Sequence, residues 1–132
     1  MKYIAHKDGE REQTIKEHLI GTATLAGQFA EKFGSKDWGY CGGMLHDIGK
    51  YSEEFQKKIN EDTNNMVDHA TAGAQLCKKI NLPVLDYCIA GHHAGLPDYG
   101  NTAERSSLCG RYKKKIYNYE ACLLYTSDAA DE

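Results

Sequence analysis

A chain of 132 residues, 41% of them hydrophobic, suits one domain with a single modest core and leaves no room for a second. Its formal net charge of -3 excludes a uniformly basic nucleic-acid binder but permits a local basic stripe. No run approaches the ~18 apolar residues of a membrane span, and no long apolar stretch follows the N-terminus to make a signal peptide, so no membrane partner is expected and the expected location is cytoplasmic.

From the N-terminus, only Tyr3 to Ala5 hints at apolar alternation. Thr14 and Glu17 then stand at the spacing of a capping box. Behind them Ile15, Leu19, Thr22, Ala26, Phe29 and Phe33 recur at three- and four-residue steps before Gly34, which predicts an amphipathic helix. A second helix follows Ser35, with Trp38, Cys41, Leu45 and Ile48 along one stripe, and stops near Gly49. Ser52, Glu53 and Glu54 form the cap and first turn of a short helix ending near Asn60.

The polar stretch 61–65 is a loop, after which Ala70, Ala74, Cys77 and Ile80 mark a third long helix. Pro83 suits the first turn of a fourth, which carries Val84, Leu85, Cys88, Ile89 and His92 before Gly95 and Pro97 break it. Residues 100–107 read as a polar loop, and a weaker helix spans 108–119. The fold class is all-α. The five cysteines are odd in number and contain no C-x-x-C pair, so they read as reduced, mostly core, thiols.

The histidines carry the chemistry. His46, Asp47, His69, His92 and His93 lie at or near predicted helix ends, and His18 lies at the border of the first apolar stripe. Neutral imidazoles and a carboxylate converging from several rigid elements are what a metal site needs, and this joint pattern supplies six candidate ligands. Any single one of them would be unremarked as a core histidine. His6 lies before the first helix and reads as a surface or structural residue. Lys50, four residues after His46, either holds or stabilises a phosphate oxygen or is a solvated lysine. Gly42, Gly43 and Gly49 allow close approach of helices, or of substrate backbone.

The stretches "QTIKEHLIGTA", "GMLHDIGKYSEEFQ", "DHATAGA", "GHHAGLPD" and "GRYKKKIYNYEA", in that order, resemble the HD nuclease domain of the CRISPR-associated nuclease-helicase of type I systems. The resemblance runs from Tyr3 to about Ala121 and implies a helical HD-superfamily fold with two metal ions. It implies that His18, His46 and Asp47 bind one ion and that Asp47, His69, His92 and His93 bind the other, so that Asp47 bridges. It also implies a further aspartate on a later helix; Asp86 and Asp98 stand at the wrong sites for it, and Asp128 and Asp131 fall in a tail that does not match. Residues 1–121 are thus read as the N-terminal part of an HD domain that is C-terminally incomplete. Residues 122–132, "CLLYTSDAADE", are read as a non-native or disordered tail of the kind left by translated sequencing-adapter read-through.

The activity implied is metal-dependent hydrolysis of phosphodiester bonds in single-stranded DNA during CRISPR interference, with Asp47 and Lys50 as the catalytic residues. The partners implied are a fused or separate helicase domain and the RNA-guided DNA-targeting complex. An imidazole-rich shell favours manganese, iron, cobalt or nickel over magnesium. Arg111, Lys113, Lys114 and Lys115, interleaved with Tyr112 and Tyr117, suit a single strand, or else form a solvated face. Two alternatives stay open: an HD phosphohydrolase acting on nucleotides or another small phosphate ester, and a non-catalytic metal-binding interaction module. Ligand number weighs against the second, since one structural zinc takes four ligands.

Overall fold

A computed structural model of the chain describes residues 2–61 and 63–120. It begins with a hairpin of β1 (Ile4–Asp8) and β2 (Arg11–Thr14), antiparallel, which reverses at Gly9 with φ +62. Only Ile4 and Ala5 of β1 are buried, so the strand lacks a sustained apolar alternation and is legible mainly through its Asp8-Gly9 turn. Two short strands leave the all-α class intact, because the remaining elements among the described residues are six helices and one 3-10 turn.

The helix α1 (Ile15–Glu31) has the predicted capping box: the Thr14 hydroxyl accepts from the Glu17 amide at 3.1 Å, and the Thr14 amide donates to the Glu17 carboxylate at 3.2 Å. Its buried face is Ile15, Leu19, Ala23, Gly27 and Ala30. Phe29 and Phe33, expected on the core stripe, are instead 65% and 68% exposed. The seam with α2 (Lys36–Leu45) is the reason, because small residues form it. A Cβ on Gly39 would enter the Ala26 carbonyl and the Ala30 side chain, and one on Gly43 would enter the Ala23 backbone. The two helices therefore approach too closely for a phenylalanine between them.

At Leu45 the helix ends, and a 3-10 turn (Ile48–Tyr51) follows with Gly49 against the His69 backbone. The expected helix to Gly49 is thus split in two, with His46 and Asp47 at the joint. Next comes α3 (Glu53–Glu61), whose Phe55 amide donates to the Ser52 hydroxyl at 3.2 Å. Buried Gln56 on α3 ties down the hairpin: it accepts from the Ile4 amide at 2.8 Å and donates to the Ile4 and Lys50 carbonyls at 2.9 Å.

The amide end of α4 (Thr71–Lys79) is held by Asp68, which accepts from the Ala70 and Thr71 amides at 3.1 Å. Before α5 (Leu85–Gly91) the chain takes positive φ at Asn81 and Val84, so Pro83 lies in a turn rather than in the first helical turn. The helix α6 (Leu108–Lys113) is shorter than the sequence suggests. Gln75 explains the early stop, since its amide donates to the carbonyls of Arg111 at 2.8 Å and Lys114 at 2.7 Å.

Two apolar clusters form the core. One gathers Ile15, Leu19, Ile48 and Tyr51, the other Cys77, Leu85, Ile89 and Leu108, and Leu45 packs against both. Among the described cysteines Cys77 alone is buried; Cys41 and Cys109 are half-buried and Cys88 is exposed, so the thiols are less of a core set than expected. Among the described residues no helix is long and apolar enough to cross a membrane. Cys122, Asp128, Asp131 and the tail assigned to 122–132 lie outside the described residues.

Candidate metal centre

All six sequence-predicted ligands meet where the core clusters end. Asp47, in the joint between α2 and the 3-10 turn, is 3% exposed and divides its two oxygens. Oδ2 lies 2.8 Å from His18 Nε2 and 3.2 Å from His46 Nε2. Oδ1 lies 3.0 Å from His92 Nε2, 3.5 Å from His69 Nε2 and 4.0 Å from His93 Nε2. Asp47 departs from helical geometry at φ -122 and ψ 24, so it is the end of the helix that separates its side chain from that of His46.

The outward nitrogens are fixed by backbone carbonyls. His46 Nδ1 donates to the Gly43 carbonyl and His92 Nδ1 to the Ile89 carbonyl, both at 2.6 Å. A neutral imidazole with its proton placed there has only a lone pair at Nε2. Those lone pairs face Asp47 oxygens, acceptor against acceptor, and His69 and His93 bring their Nε2 atoms within 2.8 Å of each other. Convergent lone pairs round one carboxylate fit a cation, and the carbonyl bonds are the usual outer support of metal-bound histidines. Two groups could hold ions: His18, His46 and Asp47, and Asp47, His69, His92 and His93.

Burial opposes charge on Asp47, but hydrogen bonds donated by His18, His46 and His92 in the form that carries a proton at Nε2, together with the Lys50 ammonium, outweigh it and hold the carboxyl far below the usual carboxylate range. A cation between the rings and the carboxylate would take the place of those protons. Burial pushes His69 down to about 4, keeping it neutral and ready as a ligand. His93 is also lowered, by burial and by His92, yet its side chain is 56% exposed and forms the open edge of the centre.

Lys50 does not point at solvent. It is 4% exposed, its ammonium donating to the Ala5 carbonyl at 3.2 Å and lying 3.4 Å from Asp47 Oδ2. It thus stands behind the carboxylate and joins β1 to it. The basic run divides: the Arg111 guanidinium donates to the Ala90 carbonyl and Lys114 pairs with Asp68 at 2.5 Å, while Lys113 and Lys115 are exposed. Neither Asp86 nor Asp98 joins the cluster among the described residues; Asp86 is buried and accepts from the Tyr112 hydroxyl at 2.5 Å.

His6 was not singled out by spacing, yet its ring packs edge-on against His18 with centroids 4.8 Å apart. The hairpin places it there, and only recognition of that hairpin would have found it.

A small helical domain with imidazoles and one shared carboxylate at helix ends defines a class of metal-site proteins. The chain belongs to the HD domain family, whose model matches residues 15–130. HD domains bind divalent metals, and the cluster around Asp47 is where this one could hold them. The chain is also 29% identical over 102 residues to a (1-hydroxy-2-(trimethylamino)ethyl)phosphonate dioxygenase (glycine-betaine-forming) of Leisingera caerulea. That alignment covers 72% of this chain and 50% of the relative, so the chain spans about half the relative's length.

Proposed function

We infer that the protein is a metal-dependent phosphodiesterase acting on single-stranded DNA, working in CRISPR interference beside a helicase and an RNA-guided DNA-targeting complex. The observation that carries the hydrolytic reading is the division of Asp47 between two histidine groups, which suits two neighbouring ions. The DNA and CRISPR assignment is supported by the ordered motifs, above all "GHHAGLPD". Divalent ions held there would supply Lewis acidity toward a phosphoryl oxygen and acidify a water. The protein's own part is to fix the imidazoles through the Gly43 and Ile89 carbonyls, to keep Asp47 ionised, and to leave the His93 edge open to a phosphate. Lys50, held behind the carboxylate, orients Asp47. Imidazole-rich shells favour manganese, iron, cobalt or nickel over magnesium.

A second reading follows from the relative, which is a dioxygenase by name. The same donor set suits iron and oxygen chemistry on a small phosphonate. One experiment separates the readings. The protein loaded with manganese is offered a single-stranded oligonucleotide, a deoxynucleoside triphosphate and a cyclic dinucleotide in the absence of oxygen, and the iron-loaded protein is offered a hydroxyphosphonate with oxygen uptake recorded. Anaerobic cleavage of the oligonucleotide is expected; oxygen uptake with no cleavage would overturn the nuclease reading.

A further inference from the structure

A cavity of about 1060 Å³ opens beside the metal centre, with His69 and His93 in its wall. The same wall carries Lys58 from α3, Arg105 from the loop before α6, and Lys113, Lys114 and Lys115 at and after the end of α6. One carboxylate among the lining residues, Asp68, is already taken by Lys114. Arg111 is engaged with the Ala90 carbonyl. The other four cations, Lys58, Arg105, Lys113 and Lys115, have no carboxylate within ion-pair distance among the described residues. Cations gathered round one cavity repel each other, and this chain carries a net charge of -3, so composition alone does not account for them.

We propose that this cavity seats a run of backbone phosphates of a single-stranded nucleic acid on the His93 side of the scissile phosphate, with Lys58, Arg105, Lys113 and Lys115 neutralising them. The proposal rests on the hydrolytic reading of the centre and adds to it which residues hold the strand and on which side. Two features of the wall fit a strand better than a small ester. The volume, about 1060 Å³, exceeds the roughly 300–1,000 Å³ of pockets that take drug-sized ligands. Met66, 94% exposed and beside Val67 and Ala94, also offers an apolar shelf on which a base can lie while its phosphate meets a lysine. The consequence is a specificity for length: a substrate with one phosphate engages the centre and forgoes the cavity.

Binding is measured first on the metal-free chain in EDTA, by fluorescence anisotropy of a labelled thymidine 12-mer across a salt series. Four phosphate contacts predict a slope of log affinity on log salt of about -2.8, and the K113Q/K115Q variant is expected to reduce it by about 1.4. R105Q, measured alone, should remove about 0.7. Hydrolysis of the 12-mer and of a dinucleotide is then compared with manganese bound. The wild type should prefer the 12-mer by ten-fold or more in kcat/KM, and K113Q/K115Q should lose most of that preference through KM. Equal cleavage of both substrates with an unchanged variant would overturn the phosphate seat while leaving the hydrolytic reading intact. No cleavage, with the salt slope and its loss in the variants as predicted, would sink the hydrolytic reading and keep the seat. A flat salt slope in the wild type would overturn the seat directly.

Discussion

Replacing Asp47 by alanine removes an oxygen from each histidine group at once, whereas replacing His18 takes a ligand from one of them. Asp47→Ala should therefore abolish metal binding at both positions and reduce activity more than Lys50→Ala does. Lys50→Ala leaves the Ala5 carbonyl without its buried donor, which costs about 1–3 kcal/mol and should lower the melting temperature even with the metal removed. Equal losses of activity in the two variants would argue against the shared carboxylate. Asp68 offers a separate test. Burial raises its carboxyl, but Lys114 and Thr71 outweigh that and bring it down to about 2. A depressed carboxyl stabilises the fold above its ordinary value near 3.8, and that contribution is lost as pH falls toward 2. Comparing urea unfolding of the metal-free wild type with Asp68→Asn, the difference should be about 1 kcal/mol near neutrality, after allowance for screening at a partly exposed pair, and should close between pH 4 and 2. A gap that persists at pH 2 would contradict this.

The elements matter because the ligands come from their ends, so helix packing sets ligand distances. Gly43 faces the Ala23 backbone on the α1–α2 seam, one turn from His46 and within reach of the turn that bears His18. Gly43→Ala should cost about 1–3 kcal/mol by overpacking and should weaken the His18/His46 group specifically, leaving the His69/His92/His93 group able to bind. Isothermal titration with manganese reads that selectivity; loss of both groups together would mean that the seam supports the whole centre. The elements also show where the sequence was readable. The capping box at Thr14 and Glu17 was legible because it is local, whereas the end of α2 at Leu45 was not, because the apolar stripe runs on through Ile48 toward Gly49. Phe29 and Phe33 were misplaced because periodicity reports an apolar stripe without saying that α2 would come close through Gly39 and Gly43. The β1–β2 hairpin escaped because its exposed residues do not alternate, and with it went the contact of His6 on His18.

For the whole molecule, the six ligands were legible as a set from the residues themselves, and their division into two groups sharing Asp47 only through the family resemblance, which the two groups in the structure match. A spacing of histidines along a chain carries no information about which oxygen of Asp47 each one faces; that depends on how α1, α2, α4 and α5 meet. The basic run shows the same limit. Arg111 and Lys114 look equivalent to Lys113 and Lys115 in sequence, but folding ties the first pair to the Ala90 carbonyl and to Asp68 and brings Lys58 and Arg105 from distant segments to join the second.

The central claim is that one carboxylate serves two unequal metal sites, four ligands on the His92 side and three on the His18 side. Titrating manganese into the metal-free chain, with spin coupling between ions followed by electron paramagnetic resonance, tests it most directly. The expected result is one tight ion and a second bound at least ten-fold more weakly, coupled to the first, with the weak ion alone lost in His18→Ala and both lost in Asp47→Ala. Two ions without coupling, or a pair that survives Asp47→Ala, would contradict the account.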